Sequence, residues 1–227
     1  MPIVSVRNIT RDYIQGSHTV QALRGVDLDI ESGEFVTLMG PSGSGKTTLL
    51  NLVGALDKPT SGTLVIDGND LSTMDPGALS DMRRDRLGFV FQAYNLVPVL
   101  TAIENTEFVL MMQGMGPEER HSRAREMLAA VGLEGMENRR PNELSGGQQQ
   151  RVAVARAIVG EPALVLADEP TANLDSTTGQ ELIELMATLN QERGCTFLFS
   201  THDPKVMNAA RRVVHLEDGK VTEDVQK

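Results

Sequence analysis

Between residues 35 and 53 the chain runs Phe35-Val36-Thr37-Leu38-Met39, then Gly40-Pro41-Ser42-Gly43-Ser44-Gly45-Lys46-Thr47, then Thr48-Leu49-Leu50-Asn51-Leu52-Val53. A nearly continuous apolar run of that length reads as a strand buried on both faces. The segment after it reads as a helix. The eight residues between them follow the pattern Gly, four residues, Gly-Lys-Thr, in the strand-to-helix context that a phosphate loop requires. A strand entering a tight glycine turn and leaving as a helix points to an α/β fold. The chemistry follows from the geometry. Glycines let the backbone wrap closely, so successive N–H groups and the helix N-terminus face an anion. Lys46 is then placed for the β- and γ-phosphates and the Thr47 hydroxyl for Mg²⁺. The bland alternative is a glycine-rich turn that binds nothing.

The rest of the chain reads as strands separated by helices. Val26 to Ile30 alternates like a half-exposed strand, and Thr63 to Ile66 ends in the turn pair Asp67-Gly68, suggesting an antiparallel β element in the N-terminal half. Leu87–Phe91, Leu164–Ala167, Phe197–Ser200 and Val213–Leu216 supply further core strands, and helices are expected from Lys46 to about Ala55, Ser145 to Val159 and Thr177 to Gln191. Between Gln92 and Gly160 there is helical periodicity and no convincing strand. The expected layout is residues 1–92 and 160–227 as an α/β core carrying the β element, with about 93–159 as an inserted helical lobe.

Composition narrows the partners. The chain has 227 residues, 40% of them hydrophobic, enough to bury one substantial core. Its 21 Lys and Arg against 31 Asp and Glu give a net charge of −10, which opposes sequence-independent attraction to nucleic acid or anionic lipid. The one cysteine, Cys195, has no partner for an intramolecular disulfide and suits a reducing compartment as a buried, inert thiol. The alternating stretch from Met1 to Arg7 lacks the apolar core of a signal peptide, so secretion is not expected. No apolar run reaches the roughly 20 residues that a membrane helix needs. Any membrane-spanning part is therefore expected on another chain.

Further candidates stand at strand ends, where ligand crevices open in α/β sheets. Ala163-Leu164-Val165-Leu166-Ala167 ends in Asp168-Glu169, placing Asp168 to support Mg²⁺ and Glu169 to reach a water beyond the γ-phosphate; a solvated strand end is the competing account of Glu169. His202 follows Phe197–Ser200, where an imidazole can orient that water, although taken alone it also suits an ordinary capping histidine. Gln92 closes Leu87–Phe91, within reach of metal or water. Tyr13 offers a flat face to adenine, with core packing as the competing account.

One stretch remains, Asn142-Glu143-Leu144-Ser145-Gly146-Gly147-Gln148-Gln149-Gln150-Arg151, a Ser-led glycine pair shortly before the acidic strand end. With it, six motifs stand in order: the phosphate loop, Gln92, Leu144–Gln148, Asp168-Glu169, the loop Ala172-Asn173-Leu174-Asp175, and His202. From end to end the chain resembles an ATP-binding cassette (ABC) ATPase, a P-loop NTPase with a RecA-like core, an N-terminal antiparallel β element and an inserted α-helical subdomain. Gly88-Phe89-Val90-Phe91-Gln92, Asn95-Leu96-Val97-Pro98 and Ala167-Asp168-Glu169-Pro170-Thr171 resemble the branch of lipoprotein-releasing and macrolide-exporter ATPases (LolD/MacB type). Ala172 and Ser200 depart from that branch's commoner residues.

The resemblance implies ATP and Mg²⁺ as cofactors. It implies that Tyr13 stacks on adenine, that Gly40, Ser42, Gly43, Ser44, Gly45, Lys46, Thr47 and Thr48 hold the phosphates, and that Thr47, Gln92 and Asp168 hold the metal. Glu169, His202, Gln92 and Lys46 are the catalytic set it implies. Ser145, Gly146, Gly147 and Gln148 would approach the nucleotide of an opposite protomer, with Asp175 beside that interface. The expected partners are a second copy of the chain and a membrane permease whose cytoplasmic loops meet the helical lobe. Ala93 to Leu100 is a candidate lining for those loops, and packing of the lobe on the core is the other account. The expected location is cytoplasmic, at the inner face of the cell membrane. The alternative is a non-transport ABC ATPase acting in DNA repair or translation, disfavoured by one cassette, no heptad arm, one cysteine and the acidic balance. A catalytically silent subunit would need Glu169 or His202 replaced, and neither is.

Overall fold

The computed structural model describes residues 2–16 and 18–227; Met1, which opens the alternating N-terminal stretch, lies outside them. In chain order the elements are β1 (Val4–Gln15), β2 (His18–Ile30), β3 (Phe35–Met39), α1 (Lys46–Val53), β4 (Ser61–Ile66), β5 (Asn69–Asp70), α2 (Pro76–Arg86), β6 (Leu87–Phe91), α3 (Ala102–Met112), α4 (Pro117–Ala130), α5 (Gly146–Ile158), β7 (Leu164–Asp168), α6 (Ser176–Arg193), β8 (Thr196–Ser200), α7 (Pro204–Ala209), β9 (Arg212–Glu217) and β10 (Lys220–Gln226). From the end of β6 to the start of β7 the described chain forms helices and loops only.

Two sheets organise these elements. One has the order β10-β9-β3-β8-β7-β6, parallel from β9 to β6 with β10 antiparallel at the edge. The other is the antiparallel set β2-β1-β4-β5. Its last hairpin turns at Asp67 and Gly68, with φ of 48° and 76°. Two successive positive φ values are what a tight type I′ hairpin needs, and Asp-Gly is a sequence pair that supplies them.

The central strands look uniformly apolar because each feeds two cores. Phe35, Val165, Ala167, Phe197, Phe199 and Val213 pack into one cluster with α3 to α7, while Val36, Leu38, Leu164, Leu166, Leu198 and Val214 pack into another with α1, α2 and the antiparallel sheet. Alternate residues of one strand thus face opposite sides, as a pleated backbone demands. The rings of Phe35 and Phe199 lie 4.6 Å apart on the first side.

Several elements depart from the sequence reading. Strand β1 and the first half of β2 extend the antiparallel sheet well beyond the alternating Val26–Ile30 segment. Helix α1 stops at Val53 rather than Ala55, because Ala55 turns to φ 53°. Helix α2 has no counterpart in the reading; Asp75 caps it by accepting from the N–H of Ala78, and Pro76 occupies its first turn, where no N–H is needed. Among the described residues no helix is long and apolar enough to cross a membrane.

Candidate functional site

Four neighbouring parallel strands deliver the candidate residues to one edge of the sheet. Strand β3 runs into the glycine loop and α1, β6 ends beside Gln92, β7 ends at Asp168 and Glu169, and β8 ends two residues before His202. Gly40, Ser42, Gly43, Ser44, Gly45, Lys46, Thr47, Thr48, Gln92, Glu169 and His202 line one cavity of about 580 Å³.

The loop's backbone is set by glycine. Gly40, Gly43 and Gly45 have φ of 149°, 80° and 104°, a region that side-chain-bearing residues avoid. A Cβ on Gly45 would sit 2.8 Å from both the Ala22 carbonyl oxygen and Leu23 Cδ2, so the loop is pressed against β2. Lys46 Nζ donates to the carbonyl oxygens of Gly40 at 2.7 Å and Pro41 at 2.9 Å, folding the ammonium back over its own loop. Ser44 is buried, and its hydroxyl is among the buried polar atoms that have no partner. A buried cation on neutral carbonyls, a hydroxyl without a partner and a row of N–H groups at a helix start together suit a polyphosphate.

The acidic side of the cavity is equally specific. Asp168 does not itself line the cavity, but it is bonded to a residue that does: Thr47 Oγ1 donates to Asp168 Oδ1 at 3.4 Å. Burial raises the Asp168 carboxyl above its ordinary pKa and the Glu169 charge adds to this, while Thr47 and Lys46 oppose it. That burial penalty is one a divalent cation offsets. With Gln92 and Thr47 both lining the cavity, the hydroxyl, amide and carboxylate oxygens are the hard donors that Mg²⁺ prefers. Glu169 has φ 46° and its N–H donates to Ser200 O at 2.8 Å, locking the β7 and β8 ends together. Its side chain is held at both oxygens: Thr201 Oγ1 donates to Oε2 at 3.0 Å, and His202 Nδ1 lies 2.8 Å from Oε1. Gln92 Nε2 donates to Asn173 Oδ1 at 3.3 Å, and Asn173 Nδ2 returns a bond to the Gln92 carbonyl at 2.9 Å.

The other candidates lie elsewhere. Ser145, Gly146, Gly147, Gln148, Asp175 and Tyr13 do not line this cavity. Ser145 caps α5 in a reciprocal box, its N–H donating to Gln148 Oε1 at 2.9 Å and its Oγ accepting from the Gln148 N–H at 3.3 Å. Asp175 caps α6, accepting from the N–H groups of Thr177 and Thr178 and from Thr178 Oγ1 at 2.6 Å, and these bonds hold its carboxyl below the usual range. Tyr13 donates its hydroxyl to Asp57 Oδ2 at 2.9 Å, and Arg11 covers one face of its ring at 4.5 Å. Cys195 is buried, and burial pushes its thiol up.

Sequence reading missed Thr201 and gave no role to Asn173 and Gln150, although both stand in motif stretches, 172–175 and 142–151. The only signal for Thr201 was a hydroxyl beside a strand-end histidine. The pairing of Asn173 with Gln92 spans 81 residues and has no local pattern.

Residues 23–172 match the family model described as ABC transporter. An ABC transporter ATP-binding protein of Methanocaldococcus jannaschii, MJ0796, is 48% identical over 96% of this chain and 95% of its own length. The macrolide export ATP-binding/permease protein MacB of Marinobacter nauticus is also 48% identical, over 98% of this chain, which spans 34% of that protein. Two solved dimers of the MJ0796 cassette, one a post-hydrolysis state bound to ADP and Pi, superpose with TM-scores of 0.90 at 47% and 46% identity, each covering 98% of both chains. The motifs, the strand-end geometry and these likenesses agree: the chain belongs to the ABC transporter family, as one of its ATP-binding cassette ATPases.

Proposed function

We propose that two copies of this chain clasp two ATP molecules between them and hydrolyse them to ADP and phosphate, driving or gating a membrane permease. One observation carries the reading. Lys46, Gln92, Glu169 and His202 share a cavity, whereas the Ser145 turn, itself built as an anion-facing helix start, stands outside it in the same chain. A second chain turned to face the first brings that turn to the nucleotide. The M. jannaschii cassette forms dimers, which supports this arrangement.

Within the site each residue has a task. The N–H groups of the glycine loop and the Lys46 ammonium, exchanging its hold on the Gly40 and Pro41 carbonyls, bind the β- and γ-phosphates. Thr47, Gln92 and Asp168 hold Mg²⁺, which when bound neutralises charge on those phosphates. Glu169 polarises the attacking water, and His202 orients it and donates to the γ-phosphate. Tyr13 presents to adenine the ring face opposite Arg11. Loss of the γ-phosphate removes the link to the partner's Ser145 turn, and the dimer opens.

The permease meets the helical segment after Gln92. Val97, Val99, Phe108, Met111 and Met112 are exposed there, Val99 by 72%. Asn105 ties the loop to α3, accepting from the Val97 N–H at 2.8 Å and donating to the carbonyls of Val97, Leu100 and Thr101. The permease is of the lipoprotein-release or macrolide-export type, and it holds the cassette at the inner face of the cell membrane. Since the MacB relative is a permease fusion of which this chain spans a third, its permease half supports a partner of that kind.

The test is size-exclusion chromatography of Glu169→Gln with Mg-ATP. A dimer is expected, and adding Ser145→Arg should return it to monomer. A Glu169→Gln protein that stays monomeric at saturating Mg-ATP overturns the shared-site reading.

A further inference from the structure

Helix α5 begins at the Ser145 turn and is fastened to the floor of the nucleotide site at two points that phosphate and metal binding leave unused. Gln150 is fully buried. Its Nε2 donates to Pro170 O at 2.8 Å and to Phe91 O at 3.2 Å. Those carbonyls belong to the residues adjoining Glu169 and Gln92. Phe91 and Asp168 are register partners on β6 and β7, so a single amide bridges two strand ends where both functional side chains leave the sheet. Only the NH₂ end of an amide can face two carbonyl oxygens, which fixes the orientation of the side chain.

The second point is Arg156. Its guanidinium donates to Tyr94 O at 2.8 Å and Asn95 O at 2.5 Å, just beyond Gln92. Tyr94 and Asn95 are consecutive non-glycine residues at φ 57° and 50°. Such conformations cost energy and persist where the surroundings over-determine them. Among the described residues no carboxylate pairs with Arg156. The Tyr94 hydroxyl also reaches back to the start of α5, 2.9 Å from where a Cβ on Gly146 would sit.

We infer that Gln150 and Arg156 are positioning residues: together they make the Ser145 turn, the Gln92 loop and the Glu169 backbone one mechanical unit, so that docking of the turn on a partner's nucleotide sets the hydrolytic side chains of its own chain. This rests on the roles proposed above for Glu169, Gln92 and Ser145. Neither residue lines the nucleotide cavity, so their loss is expected in turnover and not in binding.

Gln150→Met keeps the volume and removes the donor; Arg156→Lys keeps the charge and removes the two-pronged grip. In each, kcat is expected to fall about tenfold, the scale of a small misplacement of reacting groups. KM and Mg-ATP affinity by calorimetry are expected to stay within about twofold, the mark of an interaction made at the chemical step. A merely structural role would instead lower the melting temperature and the fraction of protein that binds, leaving turnover per bound nucleotide unchanged, and that result overturns the inference. Should Gln150→Met fail to fold, Arg156→Lys carries the same test. Glu169→Gln is measured beside them: if it turns over normally, the site reading fails, whereas a silent Glu169→Gln beside fully active Gln150→Met and Arg156→Lys removes only the positioning role.

Discussion

Glu169 Oε1 and His202 Nδ1 lie 2.8 Å apart, on segments that leave adjacent parallel strands. With Thr201 Oγ1 on the other carboxylate oxygen, the Glu169 side chain is held at both oxygens by its own chain. Preorganisation of this kind spares the reorganisation that a freely rotating carboxylate would undergo at the moment of reaction.

The His202 side chain is 77% exposed, so its removal disturbs little packing. His202→Ala should therefore keep its melting temperature, lose only the affinity that its one bond to the γ-phosphate supplies, and drop in kcat on the order of 10²-fold, the usual scale for a group that handles protons in the transition state. Thr201→Val, nearly isosteric but buried, should lower kcat as well and also loosen the following turn, since Thr201 Oγ1 accepts from the Asp203 N–H. Steady-state ATPase assays with calorimetry separate the two effects. Unchanged kcat in His202→Ala would take the imidazole out of the chemistry.

Asp168 gives a pH-dependent prediction. Burial raises its pKa in the folded protein, so the charged form is the disfavoured one. The contribution of this residue to stability is fully present below the ordinary carboxylate range and is lost as pH rises through the raised value. Asp168→Asn removes that loss. Melted in EDTA at neutral pH it should be more stable than the parent, with the difference closing below about pH 4, where an ordinary aspartate is itself protonated. The gain in melting temperature that Mg-ATP gives the parent should shrink or vanish in the variant, because ligand stabilisation follows affinity. A metal-free Asp168→Asn that melts lower than the parent at neutral pH would contradict this account.

How far the sequence foretold these groups depends on how local each signal was. Strands β3, β6, β7 and β8 were legible because residues buried on both faces form nearly continuous apolar runs, and β9 was legible through Val213, Val214 and Leu216. Strand β10, Lys-Val-Thr-Glu-Asp-Val-Gln, carries no such run; it is an exposed edge held by pairing to β9 and by Arg212, which donates to Asp224 at 2.7 and 2.8 Å. Helix α2 escaped because it buries little beyond Leu79 and Met82, although the Asp75 and Pro76 start signal was present. Lys46, Asp168, Glu169 and His202 stood out because linear motifs place them at strand ends. Thr201 and Gln150 act through groups 32, 59 and 20 residues away, and nothing in their immediate neighbours encodes that.

The glycine loop separates two kinds of cost. Gly45→Ala meets both a positive φ of 104° and a backbone carbonyl at 2.8 Å, so a loss of about 2 kcal/mol or more is expected. Gly43→Ala, at φ 80° with nothing within 4 Å of its Cβ, carries the conformational cost alone, ~1 kcal/mol. For a chain of this size Gly45→Ala should melt about 4–8 °C lower and Gly43→Ala about 2–4 °C lower. Equal losses would mean that contact with β2 is not what confines the loop.

The exposed apolar face tests the permease reading without touching the nucleotide. Phe108, Met111 and Met112 lie at helical spacings of three and four on α3, hence on one side of it, and are 41%, 45% and 54% exposed. Water already reaches these side chains in the free protein, so charged replacements can turn outward, at the cost of the apolar area that each now buries, on the order of 1–2 kcal/mol. A docked permease loop would be forced to desolvate the new charges, at a cost far above that. Phe108→Glu with Met112→Glu should therefore fold, melt a few degrees below the parent, and hydrolyse ATP as the parent does when alone. In membranes holding a permease that the parent chain captures, the doubly substituted chain should neither co-purify with that permease nor show permease-dependent turnover. Normal co-purification would place the docking surface elsewhere on the cassette.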